Sequence, residues 1–143
     1  QGISYFALHK LLFLTEVAYL EATGERLTSA YIVRQKDGPY CVDLHVARLP
    51  TTIPDVCIIR SKGSVQLRLE SQLSLAGAQI ALGLTAEEID VVDRTIARYG
   101  ALADAELKRV SYLSSPMREL LRKEKSMRAN FFNAAVLPYR ADG

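Results

Sequence analysis

The chain has 143 residues, 49% of them apolar, a formal net charge of +2 and two cysteines. That is enough apolar material for one domain whose core needs neither metal nor disulfides. So small a net charge argues against a dedicated nucleic-acid binder, and two cysteines are too few for a disulfide framework, which fits a reducing, cytoplasmic setting.

The stretch from Ser4 to Gly24 carries Phe6, Leu8, Leu11, Leu12, Phe13, Leu14, Val17, Ala18 and Leu20 over most of a helix circumference rather than along one stripe. Lys10, Glu16 and Glu21 interrupt it too often for a clean membrane span. It is expected to be the central buried helix, capped by Ser4 and stopped by Gly24, with Leu11 and Leu12 nearly fully buried. Nothing near Gln1 reads as a cleavable signal.

Tyr31, Ile32 and Val33 favour a short extended segment, which runs into the break Asp37-Gly38-Pro39. Because proline suits a first helical turn, a short helix is expected from about Tyr40 to Leu49, with Val42, Val46 and Leu49 on one face. Asp55 to Glu70 reads as a β-hairpin. Val56 to Ile59 lead into the turn Ser61-Lys62-Gly63-Ser64, and Val65, Leu67 and Leu69 then alternate with Gln66, Arg68 and Glu70. Such a hairpin must lie on helices or pair with the Tyr31 to Val33 segment. The apolar run Leu73 to Leu84 contains Gly77 and Gly83 and supports no assignment.

Thr85-Ala86-Glu87-Glu88 is a capping box, followed by Ile89, Val92, Ile96 and Tyr99 at core-facing spacing and closed by Gly100. A shorter helix from about Asp104 to Tyr112 turns Leu107 and Val110 inward, and after the interruption at Pro116 a basic helix runs from Met117 to Met127. The tail holds Phe131, Phe132, Val136, Leu137 and Tyr139, a composition expected to dock in an irregular, partly extended form on the same domain, a second copy or a partner.

Chemistry is sparse. His9, His45, Cys41 and Cys57 can be drawn together as a zinc site, but no Cys-x-x-Cys or His-x-x-x-His pair accompanies them. No Gly-x-Ser-x-Gly and no phosphate-binding loop is present. Glu87, Glu88, Asp90 and Asp93 are explained by the positive end of a helix, and the basic run Arg118 to Arg128 by a solvated face or by an anionic partner, nucleic acid or acidic protein, with the solvated face favoured. Neither enzyme activity nor cofactor nor metal is expected, and the fold class is mainly helical α+β, a central buried helix with surrounding helices and a small β-hairpin or sheet.

His9-Lys10-Leu11-Leu12-Phe13 with Tyr19-Leu20 and Thr23-Gly24, the turn at Gly38-Pro39, and Leu84-Thr85 to Tyr99-Gly100 with Leu102 and Glu106-Leu107 together resemble the Panacea domain, the SocA-like antitoxin family also met in phage-associated bacterial proteins. The resemblance covers about residues 5 to 122. It departs at Asp37 where an aromatic is usual, at Tyr112 for a histidine and at Met117 for a tryptophan. It implies a Panacea-like domain over 1–128 with an apolar tail over 129–143. The function it implies is an antitoxin that neutralises a cognate toxin by contact or delivers it to an AAA+ protease. Self-association as a homodimer is a further expectation, and a DNA-binding regulator of its own operon is the alternative. Loops between scaffold elements commonly carry binding residues, so Arg34, Lys36, Asp37 and Tyr40 around the turn are the expected toxin contacts.

Overall fold

A computed structural model describes residues 3–47, 49, 56–61, 64–69 and 84–138. The expected run Leu73 to Leu84, apart from its last residue, and the prolines Pro50 and Pro54 lie outside the described residues. Helix α1 (Tyr5–Thr23) occupies the centre of a mainly helical α+β fold, as expected from its apolar circumference. Ser4 caps it, its side chain accepting from Ala7 N–H at 2.9 Å, and Gly24 ends it in the left-handed conformation at φ 78°. Phe13 is fully buried, Leu11, Leu14 and Val17 nearly so, while Leu12 is only half-buried, which corrects one of the two leucines. The reason is that α1 is flanked on several sides but not enclosed.

Strand β1 (Ile3–Ser4) precedes α1. Strands β2 (Ile32–Gln35) and β3 (Gly38–Cys41) form an antiparallel hairpin around the two-residue turn Lys36-Asp37, with Val42–Leu44 following as one 3-10 turn. The expected helix from Tyr40 is therefore replaced by strand, and Val42 is exposed. Gly38, at φ 109°, supplies the left-handed angle that lets so short a loop reverse the chain. Pro39 is tolerated because its partner, Arg34, turns its own backbone groups away from β3. Arg34 N–H donates to Ala134 O at 2.9 Å, and Arg34 O accepts from Asn133 N–H at 2.8 Å. At such a non-hydrogen-bonded position the missing proline N–H costs the ladder nothing.

Strands β4 (Val56–Ser61) and β5 (Ser64–Leu69) form the second hairpin, as expected, in register from Val56 opposite Leu69 to Ser61 opposite Ser64. β5 pairs on its other edge with β1 instead of with β2, and it lies against α1 with Leu67 buried. Helices α2 (Ala86–Tyr99), α3 (Asp104–Leu113) and α4 (Ser115–Met127) complete the described elements. The Thr85 capping box is formed in full. On α2 the buried residues are Ile89, Val91 and Thr95, whereas Ile96 is 51% exposed. The inward stripe is thus rotated from the expected one, and Thr95 tolerates burial because its hydroxyl donates to Val91 O at 2.9 Å. Leu107 of α3 is fully buried and Val110 half-buried; Pro116 sits inside the first turn of α4 rather than before it.

One buried ion pair locks α1 to the loop after it. Glu16 accepts from Arg26 Nε at 2.9 Å, Arg26 Nη2 at 3.0 Å, Leu27 N–H at 2.9 Å, Thr28 N–H at 3.1 Å and the Thr28 hydroxyl. Arg26 reaches on to Ala30 O and Pro138 O, both at 2.8 Å. Every strong donor around the carboxylate is thereby used, which is what allows a charge to stay inside. None of the helices among the described residues is long and apolar enough to cross a membrane.

Candidate functional site

In an antiparallel pair, backbone groups at non-hydrogen-bonded positions point away from the partner strand. On β3 those groups belong to Pro39 and Cys41, and they face α1. Lys10 Nζ donates to Pro39 O at 2.9 Å, and Cys41 N–H donates to His9 Nδ1 at 2.9 Å. Two adjacent polar residues of α1 thus close the free edge of a strand. From the sequence, His9 is a metal-ligand candidate, Lys10 a charge against a membrane span, and both open the motif that resembles the family. Their pairing with β3 had no local signal, because it depends on a strand the sequence did not announce.

These contacts floor a cleft of about 460 Å³ lined by Tyr5, Phe6, His9, Lys10, Tyr40 and the turn from Gln35 to Gly38. The Tyr40 ring stacks on His9 with centroids 4.3 Å apart, Tyr5 meets His9 edge-on at 4.5 Å, and the two tyrosine hydroxyls lie 2.9 Å from each other. Burial raises the Tyr5 phenol, and the Tyr40 hydroxyl adds to the effect. Burial lowers His9 to about 4, helped by the nearby Lys10 charge, so the imidazole is neutral. Burial likewise lowers Lys10 to about 8. The Cys41 thiol is pushed up by burial, which keeps it protonated and unreactive.

Of the expected contact residues, Lys36 and Asp37 are exposed at the tip of the turn and Tyr40 is half-buried in the cleft wall. Arg34 lies elsewhere: it is 8% exposed and faces α4, pairing with Glu124 at 3.1 Å and lying against the rings of Tyr112 and Phe132. Glu124 is held below the usual carboxylate range, first by the Arg34 hydrogen bond, and it also accepts from Phe131 N–H at 2.8 Å. The turn is tied from several directions. Tyr112 donates to Lys36 O at 3.0 Å, Arg34 reaches Gln35 O, and Lys108 bonds Asp37 at 3.0 Å. That last bond holds the Asp37 carboxyl low. An added Cβ at Gly38 would lie 2.8 Å from the Tyr112 ring, a second reason for glycine there.

Of the four residues of the imagined zinc site, the Cys57 side chain lies outside the described residues; His9 and Cys41 meet, but through the Cys41 backbone, and the His45 charge acts on His9. His45 is exposed and takes Ala47 N–H on Nδ1, His9 serves β3, and no group of three or more His, Cys, Asp or Glu residues stands together among the described residues. What the arrangement offers is a well-anchored turn beside a part-aromatic cleft, suited to holding another molecule.

No curated protein and no solved structure is significantly similar to this chain. The family description "Antitoxin SocA-like, Panacea domain" matches residues 8–116, which takes in most of α1, both hairpins, α2 and α3. With that match over most of its length, the chain belongs to the SocA-like Panacea antitoxin domain family.

Proposed function

We propose that this domain is a protein-binding antitoxin module that neutralises a cognate toxin by direct contact, through the face formed by the β2–β3 turn and the cleft beside it. Family membership supports the functional class. The observation that supports this face is the turn itself, whose exposed tip Lys36-Asp37 is fastened by Tyr112, Arg34 and Lys108. A loop already held in one shape loses little conformational entropy on binding. Lys36, Asp37 and Tyr40 are then the contacts, and Arg34 acts by holding the turn against α4. The protein would do this in the cytoplasm, as a binder rather than a catalyst, whether it blocks the toxin or passes it to an AAA+ protease.

The test is co-expression with the product of the adjacent open reading frame, read by growth rescue and copurification. Lys36→Glu combined with Asp37→Lys should abolish rescue while leaving the melting temperature near wild type. Full rescue and copurification by that variant would remove this face from the interface. A toxin half-life that shortens only when the antitoxin and the protease are both present separates delivery from simple blocking.

A further inference from the structure

The cleft beside the turn contains more hydrogen-bonding capacity than the protein uses. Lys10 is 3% exposed, and among the described residues its ammonium makes one hydrogen bond, to Pro39 O, while resting 4.2 Å from the centre of the Phe6 ring. No carboxylate of the described residues lies within ion-pair distance of it. An ammonium has three N–H donors, so two are left uncommitted. His9, 2% exposed, adds another. Since Cys41 N–H can only donate, Nδ1 must be the acceptor, so the neutral ring carries its proton on Nε2, and that atom has no partner among the described residues. A buried donor normally has a partner; His9 Nε2 has none among the described residues, and Lys10, in the same cleft lining, has one hydrogen bond and the Phe6 ring for three N–H donors, which leaves capacity there for a further acceptor.

The chemistry of the missing acceptor follows from the surroundings. The charges acting on Lys10 are Asp37 and Asp104 against Lys108, with Lys36 also on the cleft rim. Asp37 is taken by Lys108 at 3.0 Å, and Asp104 accepts from Ser4 Oγ at 2.8 Å. Counting Lys10 itself, the neighbourhood is net positive and its acids are engaged. Tyr5, Phe6 and Tyr40 line the same cleft with aromatic rings, against which a carbon stem can pack.

We propose that this cleft takes a carboxylate on a short aliphatic stem, received by the Lys10 ammonium, with the Tyr5, Phe6 and Tyr40 rings packing the stem. The carboxylate comes either from an acidic side chain of the toxin or from a free small acid. The first source deepens the reading of this face as the toxin-binding one and rests on it; the second does not.

The full chain labelled with ¹⁵N is titrated with propionate and, separately, with propionamide, following the ring nitrogens of His9, one of its two histidines. Saturable shifts at His9 with propionate but not propionamide establish the site with a free acid as source. Lys10→Met should weaken that binding about tenfold to a hundredfold, the loss expected of a charge-assisted hydrogen bond. Lys10→Arg should retain it in part. If propionate gives no response, the toxin arm decides. There, loss of copurification by Lys10→Met at unchanged melting temperature, reproduced by a single acid-to-amide change in the adjacent reading frame's product, establishes the protein source. An equal response to propionamide overturns the proposal. So does silence to both small molecules together with normal copurification by Lys10→Met. Should the wild-type protein retain no partner, the toxin reading fails on its own and the propionate titration alone decides this one. Should Lys10→Met not fold, the wild-type titration and the acid-to-amide scan carry the test.

Discussion

Glu16 is a full charge with no exposed surface, and five donors from Arg26, Leu27 and Thr28 converge on it. Burial pushes its carboxyl up, but the hydrogen bonds from Arg26, Thr28 and Leu27 outweigh that and leave it below the ordinary value. Glu16→Gln leaves Arg26 buried opposite a neutral amide and should destabilise the protein by about 3–5 kcal/mol in urea unfolding, the usual cost of breaking a buried pair. Because the folded value is depressed, the stabilisation from Glu16 is complete above the unfolded carboxyl's range and is lost as pH falls through the folded value. His9 acts at higher pH. Its unfolded value is near 6.5 and its folded value about 4, so the unfolded chain takes up the proton first. Stability should be full above about pH 6.5 and decline by roughly 2–3 kcal/mol on the way to pH 4. Chemical denaturation across that range would show the decline, and His9→Gln should flatten it; a wild-type profile level from pH 7 to 4.5 would mean that His9 is not buried as a neutral ring.

At the scale of elements, the capping box before α2 is a purely local device. Thr85 accepts from Glu88 N–H at 3.1 Å, and Glu88 returns to Thr85 N–H at 2.8 Å. Thr85→Ala should therefore cost about 0.5–2 kcal/mol in thermal unfolding, and an unchanged melting curve would show that the helix start is held by packing alone. The same locality explains which elements could be read from the sequence. The ends of α1 were legible because Ser4 and Gly24 act on their own helix, and the alternation of Val65 and Leu67 announced β5 because period two is written along the strand itself. Strand β3 was not legible. Gly38-Pro39-Tyr40-Cys41 has no strand pattern of its own and becomes one because β2 lies opposite and His9 and Lys10 take its outer groups. The inward face of α2 was missed for a related reason, since Val91 and Thr95 are selected by contact with other elements over Val92 and Ile96, which suit a core equally well by character. Of the site, the turn at Lys36 to Gly38 could be found from Asp-Gly-Pro, but the cleft beneath it needed the helix and the strand brought together.

The whole molecule is closed by its last described segment. Residues 131–138 run along the edge of β2 opposite β3: Asn133 N–H and Val136 N–H donate to Arg34 O and Ile32 O, at 2.8 and 3.0 Å, and Ala135 bridges Val33. Asn133 takes a left-handed conformation at φ 70°, and Leu137 is buried as a member of the same core cluster as Ile32, Cys41 and Phe13. The ends of the segment are pinned by the two charge pairs, Phe131 N–H on Glu124 of the part-buried one and Pro138 O under Arg26 of the buried one. Removing everything after Ala129 would therefore strip one edge of β2, leave its carbonyls at Ile32 and Arg34 unpaired and take Leu137 out of the core. A lower melting temperature is expected at every protein concentration, with no change in association. Leu137→Ala alone should cost about 2–5 kcal/mol, the range for a core leucine. Had the segment served chiefly to join two copies or to grip a toxin, truncation would leave the monomer's melting temperature intact and abolish only association. Melting curves at several concentrations, paired with sedimentation of the truncated and full chains, distinguish these outcomes, and an undiminished monomer would show that the β2 edge and the Leu137 contact add nothing to its stability.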